Sequence, residues 1–259
     1  MSYYDLGDYK RGVTTSSSEA HLWFNRGINW LWGYNHQEAV SCFNKAIEHD
    51  PNCAMAHWGV SYAAGPNYNL PWHRYDPKGK ANALAMAYDA MEEALKHVDG
   101  VTSVEQDLIR ALPMRYPQRD PIDDQRGWND AYTDAMRDVY RKYQGDLDVR
   151  AVFAESIMNQ TPWKMWDLKT GSIPEGAGTA EAIEVLEDAF DNVPVSWDHP
   201  GLLHLYVHLM EMSPFPQRAL RAGDRLRDLV PEAGHLIHMP THIDVLCGQY
   251  RDVVVYNQK

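Results

Sequence analysis

Six side chains of metal-binding type lie in two rows in the C-terminal part of the sequence. Within each row the members are three or four residues apart, and on a helix this spacing places them on one face. The first row is His204, His208 and Glu211, and the second row is His235, His238 and His242. If the two helices face each other, the six side chains converge, and we therefore predict a metal site that they share.

The chemistry of this set follows from its two kinds of ligand. A His-x3-His pair on a helix brings two imidazoles onto one ion, and a carboxylate one turn later is a third ligand or a general base. Glu211 is therefore predicted both as a ligand and as the catalytic residue. Two histidines with one carboxylate suit iron or catalytic zinc, whereas three imidazoles suit copper or zinc. The identity of the metal stays open, and six ligands on two helices could also hold two metals. An alternative in which the histidines are incidental members of amphipathic helices also stays open.

Other histidines lie outside the two rows. His199 precedes Pro200 at a predicted helix start, and we expect it to be exposed rather than to reach the site. His21, His36 and His57 lie on predicted N-terminal helices. We expect these three to be ordinary surface or groove residues, although a curved chain could also bring them to the metal site.

The elements that must position these groups are helical. Recurrent apolar spacing predicts helices along the chain, and no run of residues reads as a strand. Two long segments rich in proline, glycine and aromatic residues, at 65–80 and 161–178, are predicted as loops of functional type. In the second of them, Trp163 and Trp166 either wall a substrate pocket or pack between helices. Pro240 is expected to bend or interrupt the helix that carries the second histidine row.

The N-terminal helices carry a repeat pattern of about 34 residues. It consists of Trp23, Gly27, Trp30, Ala39, Phe43, Ala46 and Pro51. In this pattern Gly27 and Ala39 are small where two antiparallel helices cross, Phe43 fills the space behind them, and Pro51 ends the second helix. A second repeat begins near Cys53, with Gly59 as a small crossing position.

This spacing resembles the tetratricopeptide repeat family. The longer blocks FNRGINWLWGYNHQEAVSCFNKAIEHDPNCAMAHWG, MNQTPWKMWD, HPGLLHLYVHLMEMS and AGHLIHMPTHI resemble a narrower group of large tetratricopeptide-like proteins, over about residues 20–257. The resemblance implies an all-α fold, a helical-repeat superhelix of antiparallel helix pairs. It implies no activity, so the assignment of the metal site depends on spacing alone.

We predict an N-terminal arm at residues 1–18, with Ser18 as the cap of the first helix, and a tetratricopeptide-like domain at 19–259. The domain is either complete or the first part of a longer array. A repeat array usually ends in a polar capping helix, and the last predicted helix has no such character. We therefore expect an oligomer or a larger assembly that covers this end.

Composition excludes several classes of function. The net charge of -12 argues against nucleic acid as the partner, because binding phosphates needs a basic surface. No apolar run is long enough to span a bilayer, and the N-terminus has no signal-peptide core, so we expect no membrane partner and a cytoplasmic location. The three cysteines form neither a CxxC motif nor a disulfide framework.

The sequence therefore predicts a metal-dependent protein, either a redox or a hydrolytic enzyme, whose ion lies between two neighbouring helices. A second hypothesis is a non-catalytic scaffold that binds a peptide or protein in a concave groove, as repeat arrays commonly do. A third is a subunit of a larger assembly.

Overall fold

The computed structural model describes residues 3–258, and within this range the chain forms helices and no β-strand. The prediction of an all-α protein is therefore confirmed. The α-helices are α1 Ser18–Trp32, α2 His36–His49, α3 Ala54–Ala64, α4 Pro77–Lys96, α5 Ser103–Arg115, α6 Arg126–Lys142, α7 Leu147–Met158, α8 Thr179–Asn192, α9 Pro200–Met210, α10 Leu220–Leu226, α11 Gly234–His238, α12 Pro240–Leu246 and α13 Tyr250–Tyr256. Across these residues no helix is both long enough and apolar enough to cross a bilayer.

The contacts divide the chain into two compact units. The first contains the described residues up to Tyr9, then Trp32–Tyr34 and the described residues from Gly145 onward. The second contains Lys10–Leu31 and Asn35–Gln144. The division into an arm at 1–18 and one domain at 19–259 stays a prediction. All six predicted site residues lie in the first unit.

Consecutive helices pack on one another in the second unit, where α3 contacts both α2 and α4, and α5 contacts α6. Gly27 and Gly59 are small for the reason that the repeat pattern predicts, which is close contact between crossing helices. A Cβ added at Gly27 would lie 2.6 Å from the ring of Phe43, and one added at Gly59 would lie 2.7 Å from the same ring. Both distances are too short for carbon atoms, so only glycine lets these helices approach the buried Phe43.

Helix starts in this unit follow local chemistry. The predicted loop at 65–80 ends earlier than expected, because Asp76 caps α4 by accepting a hydrogen bond of 2.9 Å from the Gly79 backbone. Pro77 then occupies the first helical position, where its missing N–H costs nothing. The cap of α1 is Ser17, whose hydroxyl accepts from the Ala20 backbone at 3.1 Å, so the assignment to Ser18 was wrong by one residue.

The residues before α1 are not helical, yet they make specific contacts within each unit. In the first unit the Tyr9 hydroxyl donates to Asp148 at 2.6 Å. In the second unit Thr14 donates to Glu105 from its backbone N–H at 2.7 Å. These contacts hold the described residues of this segment to the unit in which each of them lies.

The first unit is built around two apolar helices, α7 and α9, which contact each other and both contact α8. Every residue of α9 is buried, including His204 and His208. Helix α10 packs on α9 and α12, and α13 packs on α12. The predicted loop at 161–178 contains turns and no helix, as expected. Pro240 separates α11 from α12, which confirms the predicted interruption.

Candidate metal centre

A buried histidine caps the start of helix α9, the helix that carries His204 and His208 of the first row. Its cap is His199, whose Nδ1 accepts a hydrogen bond from the Leu202 backbone at 3.1 Å. The other ring nitrogen, Nε2, lies 3.3 Å from the Asp148 carboxylate. His199 is fully buried, so the expectation that it is exposed was wrong. The capping role explains this burial, because it holds the ring against the first turn of the helix.

Three imidazoles meet between α9 and α11. One nitrogen each from His204, His208 and His235 lies within 4.8 Å of the others. We call these residues the inner cluster. The tightest pair is Nε2 of His204 and Nε2 of His235, 3.1 Å apart. Their contact places side chains from two different helices at one point, as the spacing predicts.

The tautomers of two members follow from their partners. Nδ1 of His204 lies 2.7 Å from the Trp32 carbonyl oxygen, which can only accept, so Nδ1 carries the proton. Nδ1 of His208 lies 2.7 Å from Glu211 Oε1 and donates to it in the same way. In its neutral form, each of these rings therefore has its lone pair on Nε2. A histidine that binds a metal almost always donates its other N–H to a carbonyl or a carboxylate, and both arrangements occur here.

Glu211 lies behind the inner cluster. One of its carboxylate oxygens accepts from His208, and the other accepts a short hydrogen bond from Nδ1 of His242. Burial opposes ionisation of this group, but the two hydrogen bonds outweigh it and lower the pKa of Glu211 to about 2. The carboxylate is therefore ionised at neutral pH, and both of its oxygens are engaged by imidazoles.

The third member, His235, is held in its neutral form. Burial lowers its pKa from 6.5 to about 4, and repulsion from His208, His238 and His242 adds to this effect. A metal ligand must be an unprotonated imidazole, so this environment prepares the ring for an ion without a prior loss of a proton at neutral pH.

Two aromatic residues border the inner cluster. The ring of Tyr34 lies 4.5 Å from that of His204 and stacks on His208 and His235 at 5.7 and 5.8 Å, measured between centroids. The ring of Trp163 meets His208 edge to face at 6.1 Å. Tyr34 has a φ of 54° and Trp163 a φ of 62°, and within residues 3–258 no other non-glycine residue has a positive φ. Such backbone costs about 1–2 kcal/mol, and it concentrates at functional sites.

The remaining two histidines form a separate contact, which we call the outer pair. Nε2 of His238 and Nε2 of His242 lie 2.9 Å apart. Nδ1 of His238 lies 2.6 Å from the side-chain oxygen of Asn257, just beyond α13. His238 is exposed and His242 is partly exposed, unlike the two buried histidines of α9.

The structure therefore places the six predicted residues in three roles. Three imidazoles form the inner cluster, Glu211 joins this cluster to the outer pair, and the outer pair faces solvent. The N-terminal histidines bond backbone carbonyls of their own unit: His21 that of Arg11, His36 that of Ala63 and His57 that of Pro51. Of the two tryptophans considered for a pocket wall, Trp163 borders the cluster, whereas Trp166 is buried and donates to the Leu209 carbonyl at 2.8 Å.

Sequence reasoning missed Tyr34 and the carbonyl of Trp32. Trp32 ends α1 and Tyr34 lies in the turn that follows, in the segment Trp32-Gly33-Tyr34-Asn35, which connects the two helices of the first repeat. The segment contains no residue of metal-binding type, and a backbone carbonyl has no signature in a sequence. The one available signal was a large aromatic residue where a turn usually has glycine or asparagine.

No protein-family model matches the chain, and no curated protein matches it either. The evidence for function therefore comes from the site itself. The donor set fits a transition metal ion: three imidazoles, two of which have their proton fixed on Nδ1, converge beside a carboxylate that orients one of them.

Proposed function

We propose that the protein is a metal-dependent enzyme that binds a transition metal ion through His204, His208 and His235. The observation that carries this proposal is the pair of N–H contacts, from His204 to the Trp32 carbonyl and from His208 to Glu211. These contacts place the protons of both rings on Nδ1, so that Nε2 of each ring is the nitrogen that could bind an ion. A scaffold has no need for such an arrangement.

The distances suit such an ion. A metal–nitrogen bond of about 2.05 Å holds two ligand nitrogens about 3.3 Å apart at the tetrahedral angle. The closest pair of the inner cluster is already 3.1 Å apart, and the widest separation of 4.8 Å requires a shift of about 1.5 Å on binding. A small rotation of one ring supplies such a shift.

Three protein ligands favour catalysis over a structural role. Structural zinc sites are closed by four protein ligands, whereas catalytic sites keep one position for water or substrate. An ion with three imidazoles would supply Lewis-acid chemistry as zinc, or redox chemistry as copper or iron. Around it, Tyr34 and Trp163 would exclude water and offer flat apolar surface to a substrate. Glu211 would orient His208 rather than bind the ion, because both of its oxygens already accept hydrogen bonds.

The same proposal includes the architecture of the chain. We infer a tetratricopeptide-like superhelix, supported by the packing of Gly27 and Gly59 on Phe43 and by the contacts between consecutive helices. A partner-binding scaffold is the second candidate. It is supported by exposed apolar side chains at the end of the described chain, where Val254 is 57% and Tyr250 is 67% exposed.

Elemental analysis tests the proposal. The purified protein is stripped with a chelator, equilibrated separately with zinc, copper and iron ions, dialysed and analysed. We expect the wild-type chain to retain at least one ion and His235→Ala to lose it, with His49→Ala, an exposed histidine elsewhere, as the matched control. An ion present at 100 times its Kd stabilises the folded state by about 2.7 kcal/mol, which corresponds to a rise in Tm of about 5–10 °C.

The result that would overturn the proposal is equally specific. If none of the three ions is retained and none raises Tm, the inner cluster is not a metal site. If an ion is retained and His235→Ala retains it too, the ion lies elsewhere. Either result would leave the scaffold as the better candidate, with a partner on the apolar surface of α13 to be sought by pull-down and light scattering.

A further inference from the structure

The outer pair presents an unusual electrostatic arrangement. Nε2 of His238 and Nε2 of His242 face each other at 2.9 Å. Two nitrogen atoms at this distance attract each other only when a proton or a metal ion lies between them. The partners of the two Nδ1 atoms show how these rings are fixed.

The Asn257 amide determines the orientation of His238. Its nitrogen donates to the Val253 carbonyl at 2.8 Å and to the Thr241 hydroxyl at 3.1 Å, so its oxygen faces Nδ1 of His238. The Thr241 hydroxyl in turn donates to the His238 carbonyl at 2.6 Å. An amide oxygen can only accept, so Nδ1 of His238 must carry the proton of this hydrogen bond. The lone pair of a neutral His238 is therefore on Nε2.

Glu211 has the same effect on His242. Its second oxygen accepts the hydrogen bond from Nδ1 of His242, while its first oxygen accepts the one from Nδ1 of His208. The lone pair of a neutral His242 is therefore on Nε2 as well. Both lone pairs point at each other, and both are fixed by residues outside the pair.

We propose that His238 and His242 form a second transition-metal site, separate from the inner cluster. A bond of about 2.05 Å places two nitrogens about 2.9 Å apart when they meet the ion at a right angle. The observed 2.9 Å has this value, whereas tetrahedral ligands stand farther apart, at about 3.3 Å. Right angles are typical of divalent copper and nickel. The exposure of His238 leaves the other coordination positions to water or to a substrate group.

The two sites share Glu211. One oxygen orients His208 of the inner cluster and the other orients His242 of the outer pair, so a single carboxylate fixes ligands for two ions. The rings of His235 and His238, which belong to different sites, are 6.4 Å apart between centroids. The two sites share this carboxylate but have no ligand in common, so removing a ligand of one site leaves the ligands of the other in place.

Equilibrium dialysis against nickel(II) chloride, followed by elemental analysis, tests this inference. The variants are His238→Ala for the outer pair, His235→Ala for the inner cluster and His49→Ala as a control, because all three side chains are at least partly exposed. Circular dichroism verifies that each variant is folded, and Asn257→Ala offers a second way to disturb the outer pair without touching a ligand. We expect His238→Ala to bind one Ni(II) fewer than wild type, Asn257→Ala to bind its outer ion more weakly, and His49→Ala to match wild type.

The outcomes separate the two proposals. If His238→Ala binds as much Ni(II) as wild type, the second site does not exist. If wild type binds one ion that only His235→Ala removes, the inner cluster stands and the second site is overturned. If the one ion is instead lost in His238→Ala and kept in His235→Ala, the outer pair is the nickel site. The inner cluster then does not bind nickel, and the proposed function is contradicted for this ion. If wild type binds no Ni(II), the second site is overturned and the two lone pairs share a proton.

Discussion

Glutamine in place of Glu211 tests the central geometry of both sites. The carboxylate accepts N–H groups from His208 and His242, one on each oxygen. Glutamine keeps the shape but has one acceptor oxygen and one NH₂ donor. In either orientation, one imidazole meets the NH₂ group. That ring must then lose its hydrogen bond or move its proton to Nε2, where the proton blocks the metal.

The expected magnitude follows from this exchange. A hydrogen bond to a charged group contributes about 1.5–3 kcal/mol, and removing an outer partner of a metal ligand usually lowers affinity by about 10–100-fold. This loss corresponds to about 1.4–2.7 kcal/mol in binding free energy. The Glu211 side chain is only 7% exposed, so water cannot fully replace the lost acceptor.

Competition with a chromophoric chelator measures this change. Zinc affinity is determined for wild type, for Glu211→Gln and for Glu175→Gln, an exposed glutamate in the loop at 161–178. We expect the first variant to bind zinc about 10–100-fold more weakly and the second to match wild type. If Glu211→Gln binds within twofold of wild type, the carboxylate does not orient a ligand and the proposed roles of His208 and Glu211 are incorrect.

Acid unfolding of the metal-free protein gives a second measure of the same contact. A carboxyl group whose pKa falls from 4.5 in the unfolded chain to about 2 in the folded chain favours folding when it is ionised. Its contribution, about 3 kcal/mol, is present above pH 4.5 and is lost as the pH falls towards 2. Glu211→Gln should be less stable at pH 5 and should lack this loss at lower pH.

Three further predictions concern the surroundings of the site and the helix crossings. The pKa of His235 is about 4 in the folded chain and 6.5 in the unfolded chain, so protons bind preferentially to the unfolded state as the pH falls. Urea unfolding should therefore show that wild type loses about 2 kcal/mol of stability between pH 7 and pH 5. The variant His235→Gln should not show this loss. Tyr34→Gly should be about 1 kcal/mol more stable to urea than Tyr34→Ala, because only glycine adopts its φ of 54° without strain, and the reverse order would contradict the left-handed backbone. Gly59→Ala should lose about 1–3 kcal/mol against Phe43, whereas Gly127→Ala, with open space around it, should lose nothing in the same measurement.

The helical character of the fold could be predicted because its determinants are local. Capping residues and small residues at helix crossings act within a few positions or within one repeat. Helix α5, for example, begins at Ser103, where Thr102 and Glu105 form a capping box. The start of α1 differs from the prediction by one residue, because its cap is Ser17. The spacing of Gly27 and Gly59 predicted close helix contacts for the same reason, because the absence of a side chain is visible in the sequence.

The site could be predicted only in part, because its geometry depends on distant partners. The spacing of His204 and His208 identifies one face of one helix, and this face is observed. The proton on His204 is fixed by the Trp32 carbonyl, 172 positions away in the chain. The burial of His199 depends in the same way on Asp148. Helical spacing says which side chains share a face, but it does not say which residues lie opposite that face.

Pro240 helps to explain why the six predicted residues, five histidines and Glu211, need not form one site. Spacing alone places His235, His238 and His242 on one face, but this holds only for an unbroken helix. Pro240 has no N–H to donate to the preceding turn, so α11 ends at His238 and α12 begins at the proline. His235 contacts His204 of the inner cluster, whereas His238 and His242 contact each other across the break. If the break separates the two proposed sites, Pro240→Ala should bind one Ni(II) fewer than wild type in equilibrium dialysis, and an unchanged number of ions would contradict this role of the proline.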